Sequence, residues 1–179
     1  MCVVDVVRGV TYLDNIMYVV CDRSSTIRLY NMDTYSPLDV VINVSGMKCP
    51  WDMVVSRDDH QLFIADHFEC IWQVSVVDHT YVKWLTRQST MDTFNSLSLT
   101  SRRLLVTSSR SHHLHQYDVT DRQLLRVVDL SEHMGLVSHA VETTRGTFVI
   151  CRHGTLQNQP QYAVSENSFC HRCQLIQTK

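Results

Sequence analysis

The sequence has little glycine or proline and no long apolar segment. Of its 179 residues, five are glycine and three are proline. Phosphate-binding loops need closely spaced glycines, and neither a Gly-x-Gly-x-x-Gly pattern nor a P-loop occurs. The longest apolar runs, such as Ile16–Cys21, are far shorter than the ~18 residues that mark a membrane-spanning helix. These absences argue against a phosphate cradle and against a membrane protein.

Strong charge of one sign is also missing. The formal net charge is −2, and Lys and Arg are scattered along the chain, which argues against a protein held to nucleic acid by bulk charge. Hydrophobic residues make up 44% of the chain and charged residues 19%, which is ordinary globular composition. At this length we expect a single domain over residues 1–179.

The cysteines do not form a disulfide framework. Their number, seven, is odd, and their spacing shows no paired pattern. The segment Met1–Val7 has no basic region followed by a long apolar stretch, so it does not resemble a secretory signal. The glycosylation sequon Asn43-Val44-Ser45 is weak evidence for a secreted protein instead. We therefore expect a reducing, cytoplasmic setting in which the following cysteines act as small buried apolar groups: Cys2, Cys21, Cys49, Cys70 and Cys151.

A repeat is the main positive signal. The segments Tyr18–Tyr30 and Leu62–Val74 both contain a β-prone apolar run, an Asp, a short polar link and a second run led by isoleucine. Weaker copies occur at Leu104–Tyr117 and Phe148–Leu156. The anchor positions 22, 66, 108 and 151 are 44, 42 and 43 residues apart. Such a steady interval indicates a repeat architecture.

Further short β-prone runs surround each copy. One precedes every copy, at Gly9–Leu13, Trp51–Val55, Asn95–Leu99 and His139–Thr143. Another follows the first three copies, at Leu38–Val44, Thr80–Leu85 and Leu124–Leu130. No window holds a helical apolar stripe for more than about two turns, and no helical segment separates the strands as an α/β fold requires. The unit is therefore four strands in ~43 residues.

A four-stranded unit with this period predicts an all-β fold, a β-propeller of roughly four antiparallel blades. One such sheet cannot hide both faces from water, whereas blades stacked around an axis cover each other. We place the blades at about 8–46, 47–91, 92–134 and 135–179, with a divergent tail at 158–179. Four copies suggest an incomplete ring: a fragment of a longer propeller, a divergent remnant or a four-bladed arc. Uncovered blade faces then predict self-association.

The second copy resembles the NHL-type propeller repeat. In that repeat a proline precedes the first strand, a run of the form LYVAD follows, and an isoleucine leads the next strand. Pro50, Leu62–Asp66 and Ile71 occupy those elements. The first copy matches at Tyr18–Val20, Asp22 and Ile27 but lacks the proline, and the last two copies lack both the acid and the proline. The Gly-His and Trp-Asp signatures of WD-type repeats are missing from their places.

What the resemblance implies is a non-enzymatic platform that presents its loops to a protein or peptide partner, with no cofactor and no catalytic residue. Some NHL-type propellers bind RNA on a basic face, which here would involve Arg102, Arg103, Arg110 and Arg122 of the third blade. Related six-bladed propellers include metal-dependent lactonases and a peptide-amidating lyase, which need a closed ring. A fourth alternative is a fragment without independent function.

Two groups of residues are weak candidates for metal ligands. On a strand, His113 and His115 of the His112–His115 cluster point to one face, although no Asp, Glu or Cys nearby completes a site. Cys170 and Cys173 form a C-x-x-C to which only Cys151 and His153 could be added. Solvated or cross-strand histidines and unmetallated tail thiols are the simpler interpretations.

Asp22 and Asp66 allow two interpretations. They could belong to a ring of acids at one mouth of the channel, suited to a cation or a basic ligand. Alternatively, each accepts backbone N–H bonds at its own hairpin, as Asp commonly does in turns. Ser108 and Cys151 stand in the acid's place in the other copies, which favours the second interpretation.

Overall fold

The computed structural model describes residues 6–87, 93–108, 112–130 and 136–153, and the backbone of residues 171–176. For Leu136, Arg152 and His153 it likewise describes the backbone alone. These residues form fifteen β-strands, and every strand pair is antiparallel. Nowhere in this part of the chain is there a helix long and apolar enough to cross a membrane.

The strands form four sheets in chain order. The first contains β1 (Val7–Leu13), β2 (Ile16–Cys21), β3 (Thr26–Asn31) and β4 (Pro37–Asn43). The second contains β5 (Pro50–Ser56), β6 (Gln61–Asp66), β7 (Cys70–Ser75) and β8 (Tyr81–Thr86). The third contains β9 (Ser96–Thr100), β10 (Arg103–Thr107), β11 (His113–Asp118) and β12 (Leu124–Asp129). The fourth contains β13 (Leu136–Glu142), β14 (Phe148–His153) and β15 (His171–Ile176).

Each sheet is a meander in which sequence neighbours pair, so the predicted quartets are confirmed in the first three sheets. The continuous apolar run of β6 is explained by burial on both faces, since every residue after Gln61 is buried. The outermost strands are largely exposed and read as mixed sequences, as β12 illustrates. The fourth sheet differs from the prediction: its third strand, β15, lies in the tail, where sequence analysis predicted no strand.

The loops repeat as closely as the strands do. Asn31, Ser75 and Asp118 end the third strands of the first three sheets, and each backbone C=O accepts a hydrogen bond from the N–H four residues later. Those donors, Tyr35, His79 and Arg122, all have positive φ angles, between 55° and 63°. The side-chain oxygens of the same three residues accept the N–H two residues on, at 2.9, 3.3 and 2.7 Å. The same turn chemistry therefore closes each outer hairpin.

Three apolar clusters join successive sheets. Ile27 and Leu29 of the first sheet pack with Ile64 and Trp72 of the second. Phe63 and Trp84 of the second sheet pack with Leu104 and Val106 of the third. The last cluster joins the third and fourth sheets and contains Leu105, Leu114, Phe148 and Ile150. The sheets therefore bury one another face to face, as propeller blades do.

The innermost strands lie side by side, with β5 between β1 and β9, and β9 between β5 and β13. Within the described residues no comparable packing joins the fourth sheet to the first, so the blades form an open arc. No other sheet packs on the outward face of the first sheet within the described residues, and Val10 and Val41 are each 53% exposed there. The predicted fold, an incomplete all-β propeller, is confirmed.

Ladder registers correct the sequence alignment of the repeats. Val20 pairs with Ile27, Ala65 with Ile71 and Thr107 with Leu114, so Val20, Ala65 and Thr107 are structurally equivalent. The position after each of them is Cys21, Asp66 and Ser108. The predicted equivalence of Asp22 with Asp66 is therefore wrong by one residue, because the first loop is one residue longer. Cys151 is also displaced, since it lies inside β14 rather than at its end.

Candidate functional site

A groove of about 300 Å³ opens between the second and third sheets. It extends from the ends of β8 and β10 to the loop between β11 and β12, and its wall combines apolar, aromatic and basic side chains. The residues that line it are Leu85, Thr86, Arg87, Thr93, Phe94, Val106, Ser108, His115, Tyr117, Arg122 and Leu124.

The strand β11 forms one wall of the groove because its side chains alternate. Leu114 and Gln116 are buried, whereas His115 and Tyr117 lie on the face that meets the second sheet. In the ladder Tyr117 pairs with Leu124 and His115 with Val127 of β12. Leu124 and Val127 are 49% and 47% exposed, so an apolar strip accompanies the two rings along this wall. Exposed apolar side chains inside a concave surface are typical of a binding site.

Buried aromatic rings of the second sheet pack against Tyr117 of the groove wall. Trp84 is 3% exposed and meets Tyr117 edge to face, with 5.8 Å between the ring centroids. On its other side Trp84 meets Phe63 edge to face at 5.3 Å. Edge-to-face pairs of this kind contribute about 0.5–1.5 kcal/mol beyond their burial. The contact with Trp84 therefore stabilises the position of Tyr117 on the groove wall.

Basic residues lie at both ends of the groove. Arg87 follows β8, where its N–H donates to the carbonyl of Glu69. Arg122 lies in the loop between β11 and β12 and has a φ of 63°. Arg122 therefore adds a cation at one end of the apolar strip, and Arg87 lines the opposite end. That order suits an extended peptide with acidic residues near its apolar ones.

The structure brings the predicted histidines together without completing a metal site. His113 and His115 share one face of β11, as predicted, with ring centroids 6.1 Å apart. Nε2 of His113 lies 4.0 Å from Oδ1 of Asp129, and the ring of His115 stacks near Tyr117 at 6.3 Å. In the part of the chain that the structure describes, no three His, Cys, Asp or Glu residues cluster as metal ligands do. The candidate pair stays a prediction.

The three predicted arginines that the structure describes, Arg102, Arg103 and Arg122, do not form one free basic face. Nη1 of Arg103 lies 3.5 Å from Oε1 of Glu142 in the fourth sheet. The N–H of Thr120 lowers the pKa of the Asp118 carboxyl, and the charge of Arg102 lowers it further. Arg122 lines the groove, and Arg110 lies outside the described residues. The acids beside Arg102 and Arg103 weaken the case for RNA.

Glu142 is a buried acid that sequence analysis did not identify. Its side chain is 4% exposed and joins the third and fourth sheets. It accepts hydrogen bonds from Nη2 of Arg126 at 3.2 Å and Nε2 of Gln116 at 2.7 Å. Oε1 of Gln116 in turn accepts from Nε of Arg126 at 2.8 Å. Every charge in this network has a partner. The network therefore holds the third and fourth sheets together and is not a reactive site.

Polar residues of three sheets also meet at the innermost strands. Asp52, Ser96 and His139 occupy equivalent ladder positions, and Oγ of Ser96 is hydrogen-bonded to Nδ1 of His139. Oδ2 of Asp52 accepts the N–H of Leu97 at 2.8 Å, and Oδ1 accepts that of Met53 at 2.8 Å. Burial raises the pKa of Asp52. In hydrolytic triads His lies between Ser and Asp, whereas here Ser96 lies between His139 and Asp52, and the Asp52 carboxylate accepts two backbone N–H bonds.

Asp66 is fully buried, and both of its carboxylate oxygens are used. Oδ2 accepts the N–H of Lys48 at 2.9 Å and Nε1–H of Trp72 at 3.2 Å, and Oδ1 accepts the N–H of Cys49 at 3.0 Å. Asp22 is instead half-buried, with Oδ1 3.4 Å from Nε of Arg8. Asp66 therefore fixes the segment that enters β5 rather than its own hairpin. The two acids do not act as an equivalent pair.

The cysteines fall into two groups. Cys21 and Cys70 are buried in the apolar core, as predicted, and burial raises the pKa of the Cys70 thiol to about 12. Cys49 and Cys151 are partly exposed. Cys173 lies on β15, in register with Cys151 of β14. Cys2 and Cys170 lie outside the described residues.

Comparisons with known proteins support the fold. No family model matches the sequence, and no curated protein resembles it. Among solved structures, the WD40 repeats of RRP9 superpose with a TM-score of 0.68 at 14% identity, covering 86% of this chain and 47% of that one. The β-propeller domain of Cps50 (Swd1) from Myceliophteria thermophila gives 0.64 at 10% identity, covering 82% and 48%.

A computationally designed protein, Ika4, also matches, with a TM-score of 0.64, 13% identity and coverage of 83% of this chain and 86% of that one. The chain thus spans about half the length of the RRP9 and Swd1 propellers and most of the length of the designed protein. At these identities the comparisons show a β-propeller fold and leave the type of repeat open.

Proposed function

We propose that this chain is a non-enzymatic binding module that holds an extended segment of a partner protein in the groove between its second and third blades. The observation that carries the proposal is the half-exposed Leu124 on the wall of a concave site that also contains Arg122 and Tyr117. Burying a leucine side chain contributes about 1.5–3 kcal/mol, and the Arg122 guanidinium favours an acidic neighbour.

The polar networks between blades support a binding role over catalysis. The carboxylates of Asp52, Asp66 and Glu142 all accept hydrogen bonds that tie one segment or sheet to another. Such acids position blades and are not available to activate a water or a substrate. A metal-dependent hydrolase or lyase, the alternative from sequence, finds no group of ligands among the described side chains.

The NHL-type assignment belongs to the same proposal. Pro50 begins β5, Asp66 ends β6 and Ile71 lies in β7, which is the arrangement that the resemblance implies. The single-domain organisation, the cytoplasmic setting and self-association through open blade faces are likewise proposed, the last because Val10 and Val41 are half exposed on the outward face of the first sheet.

A peptide-display selection tests the groove. Random peptides of about 12 residues would be selected on the unmodified chain, and the winners would be measured against Leu124→Ser and Arg122→Glu. We expect enrichment of apolar residues flanked by Asp or Glu, and a loss of affinity of about tenfold or more for each variant, since 1.4 kcal/mol corresponds to a factor of ten. Val40→Ser is the matched control, because Val40 is 50% exposed on β4, far from the groove.

Two outcomes would contradict peptide binding in the groove. Peptides that bind Leu124→Ser and Arg122→Glu as well as the unmodified chain would place the binding surface elsewhere. A single-stranded RNA that binds more tightly than any selected peptide, and loses affinity on Arg102→Glu but not on Leu124→Ser, would favour the RNA alternative.

A further inference from the structure

The outward face of the first sheet carries a row of side chains that the next sheet buries. In the ladders Val10 pairs with Val19 just as Met53 pairs with Ile64. Met53 and Ile64 are 3% and 0% exposed, because they pack against the first sheet. Val10 and Val41, which lie in one row of the first sheet, are each 53% exposed. The first sheet therefore exposes the face by which the second sheet joins its predecessor.

The fourth sheet exposes the opposite kind of face at the other end of the arc. Val141 pairs with Val149, on the side of β14 that is turned away from Ile150 and the third sheet. Val54 and Phe63 occupy the corresponding positions in the second sheet, where they pack against the third. Val141 is 38% exposed, and Val149 is partly exposed. The fourth sheet thus exposes the face by which an earlier sheet joins its successor.

The junction between the third and fourth sheets shows which positions of the two faces meet. Oγ of Ser98 donates a hydrogen bond to the carbonyl of Ala140 at 2.7 Å. By ladder register Ser98 corresponds to Val141, and Ala140 corresponds to Val10. Val141 of one arc would therefore meet Val10 of an arc placed after it. Both valines are exposed and apolar, so this contact would remove apolar surface from water.

One arc does not form this junction with itself, since no comparable packing joins its fourth and first sheets within the described residues. A second copy of the chain supplies both faces. Two copies placed head to tail form the junction twice and leave neither end face open, whereas a contact between two first sheets leaves both fourth sheets open. The arc also superposes on about half of the Swd1 and RRP9 propellers, so its curvature suits a ring of about twice its length.

We infer that two copies of this chain close into one ring of eight blades, in which the fourth sheet of each copy packs against the first sheet of the other. The inference rests on the self-association proposed above and not on peptide binding in the groove. The ring buries the exposed valines of both end faces in the way that the internal junctions bury theirs.

The mass of the full chain in solution tests the ring. Sedimentation and light scattering over a range of concentrations should give the mass of two chains, and electron micrographs should show a closed particle with a central channel. The mass of a single chain at every concentration would overturn the inference. A mass that keeps rising with concentration would also overturn it, because it indicates an open filament rather than a closed ring.

Charge substitutions identify the junction. Val10→Asp and Val141→Lys, at opposite ends of the arc, should each raise the dissociation constant of the ring by at least about 100-fold, because an unpaired charge is then buried at both junctions. The double variant should regain most of the affinity, since the new carboxylate and ammonium meet. Val82→Asp, on the exposed surface of β8, is the matched control and should keep the mass of two chains. Urea unfolding of dilute protein, in which the arcs are separate, would show that each variant folds.

Three results would contradict the ring even if the unmodified protein has the mass of two chains. Loss of that mass on Val10→Asp but not on Val141→Lys would indicate a contact between two first sheets. Retention of it by both variants would place the interface elsewhere. A double variant that stays as single chains would show that the two valines do not meet. Leu124→Ser should leave the mass unchanged, so the ring and the groove are tested separately.

Discussion

The turns after β2 and β6 look alike in sequence and differ in structure. Both contain an Asp that follows a buried apolar strand, yet Asp66 is fully buried with three N–H donors, and Asp22 is partly exposed beside Arg8. A loop longer by one residue moves Asp22 out of the sheet. One residue of loop length thus decides whether an acid supports the core or pairs at the surface.

In the third sheet a side-chain oxygen occupies the same position as the carboxylate of Asp66. Ser108 takes the position of Asp66, and its Oγ accepts the N–H of Thr93 at 3.3 Å. Thr93 precedes β9 just as Lys48 and Cys49 precede β5. A side-chain oxygen at this position therefore holds the segment that enters its own blade, and the chemistry of the oxygen can change. In the first sheet the position is taken by Cys21, whose side chain carries a sulfur in place of the oxygen.

Replacing Asp66 with alanine should produce the largest effect on stability. Asp66→Ala leaves the N–H groups of Lys48, Cys49 and Trp72 without their acceptor, and the bond from Trp72 is fully buried. Each unsatisfied buried donor costs about 1–3 kcal/mol, and partial relaxation reduces the sum, so we expect a loss of about 3 kcal/mol. Urea unfolding followed by tryptophan fluorescence would measure it.

Asp22→Ala is the matched control for that experiment. It removes the same side chain from the corresponding turn, where the partner is the guanidinium of Arg8 at 3.4 Å. Partly exposed ion pairs contribute about 1 kcal/mol or less. Equal losses for the two variants would show that the turns are equivalent after all and that the register correction is wrong.

The innermost strands offer a second comparison, between the first sheet and the others. Gly9 occupies the position that Asp52, Ser96 and His139 fill in the later sheets. A Cβ at Gly9 would lie 2.9 Å from the backbone nitrogen of Met53, so β1 and β5 approach too closely for a side chain. Gly9→Ala should therefore destabilise the chain by about 1–2 kcal/mol.

Val10→Ala tests whether that loss comes from the close approach. Val10 is the next residue and is 53% exposed, so its truncation should change the free energy of unfolding by no more than about 0.5 kcal/mol. If Gly9→Ala is as mild as Val10→Ala in the same urea experiment, the first two blades are not packed as closely as described.

The strand pattern could be predicted because propeller blades bury their middle strands on both sides. Leu62–Asp66 and Tyr18–Val20 reveal that burial as unbroken apolar runs. Strand β15 could not be predicted in the same way, because His171–Ile176 contains no such run. Strand β15 is defined by its pairing with β14, from which residues 154–170 separate it in the sequence. Pairing between strands so far apart in the chain leaves no local sequence pattern.

The site was less predictable than the fold. Arg122 was singled out for its charge, yet its position on a groove depends on Leu124 and Tyr117, which sequence analysis treated as ordinary strand residues. Glu142 was missed for a similar reason: an acid at the end of a strand looks solvated until Arg126 and Gln116 of another blade are brought to it. Contacts between blades join residues that are far apart in the chain, so they cannot be predicted from a local stretch of sequence.

The smallest expected effect is a pH dependence of the outer turn in the third sheet that the corresponding turn of the first sheet lacks. Asp118 and Asn31 cap equivalent turns, but only Asp118 can be protonated. Its N–H bond from Thr120 lowers its pKa below the ordinary 3.8, so its contribution to stability is present above that value and is lost as pH falls through the lowered pKa. The Thr120 amide resonance should therefore titrate below pH 3.8, whereas the Thr34 amide, held by Asn31 Oδ1 at 3.0 Å, should not show the same transition. Asp118→Asn should abolish the Thr120 transition and keep the turn; a transition that survives this substitution would mean that another acid controls the third blade's outer hairpin.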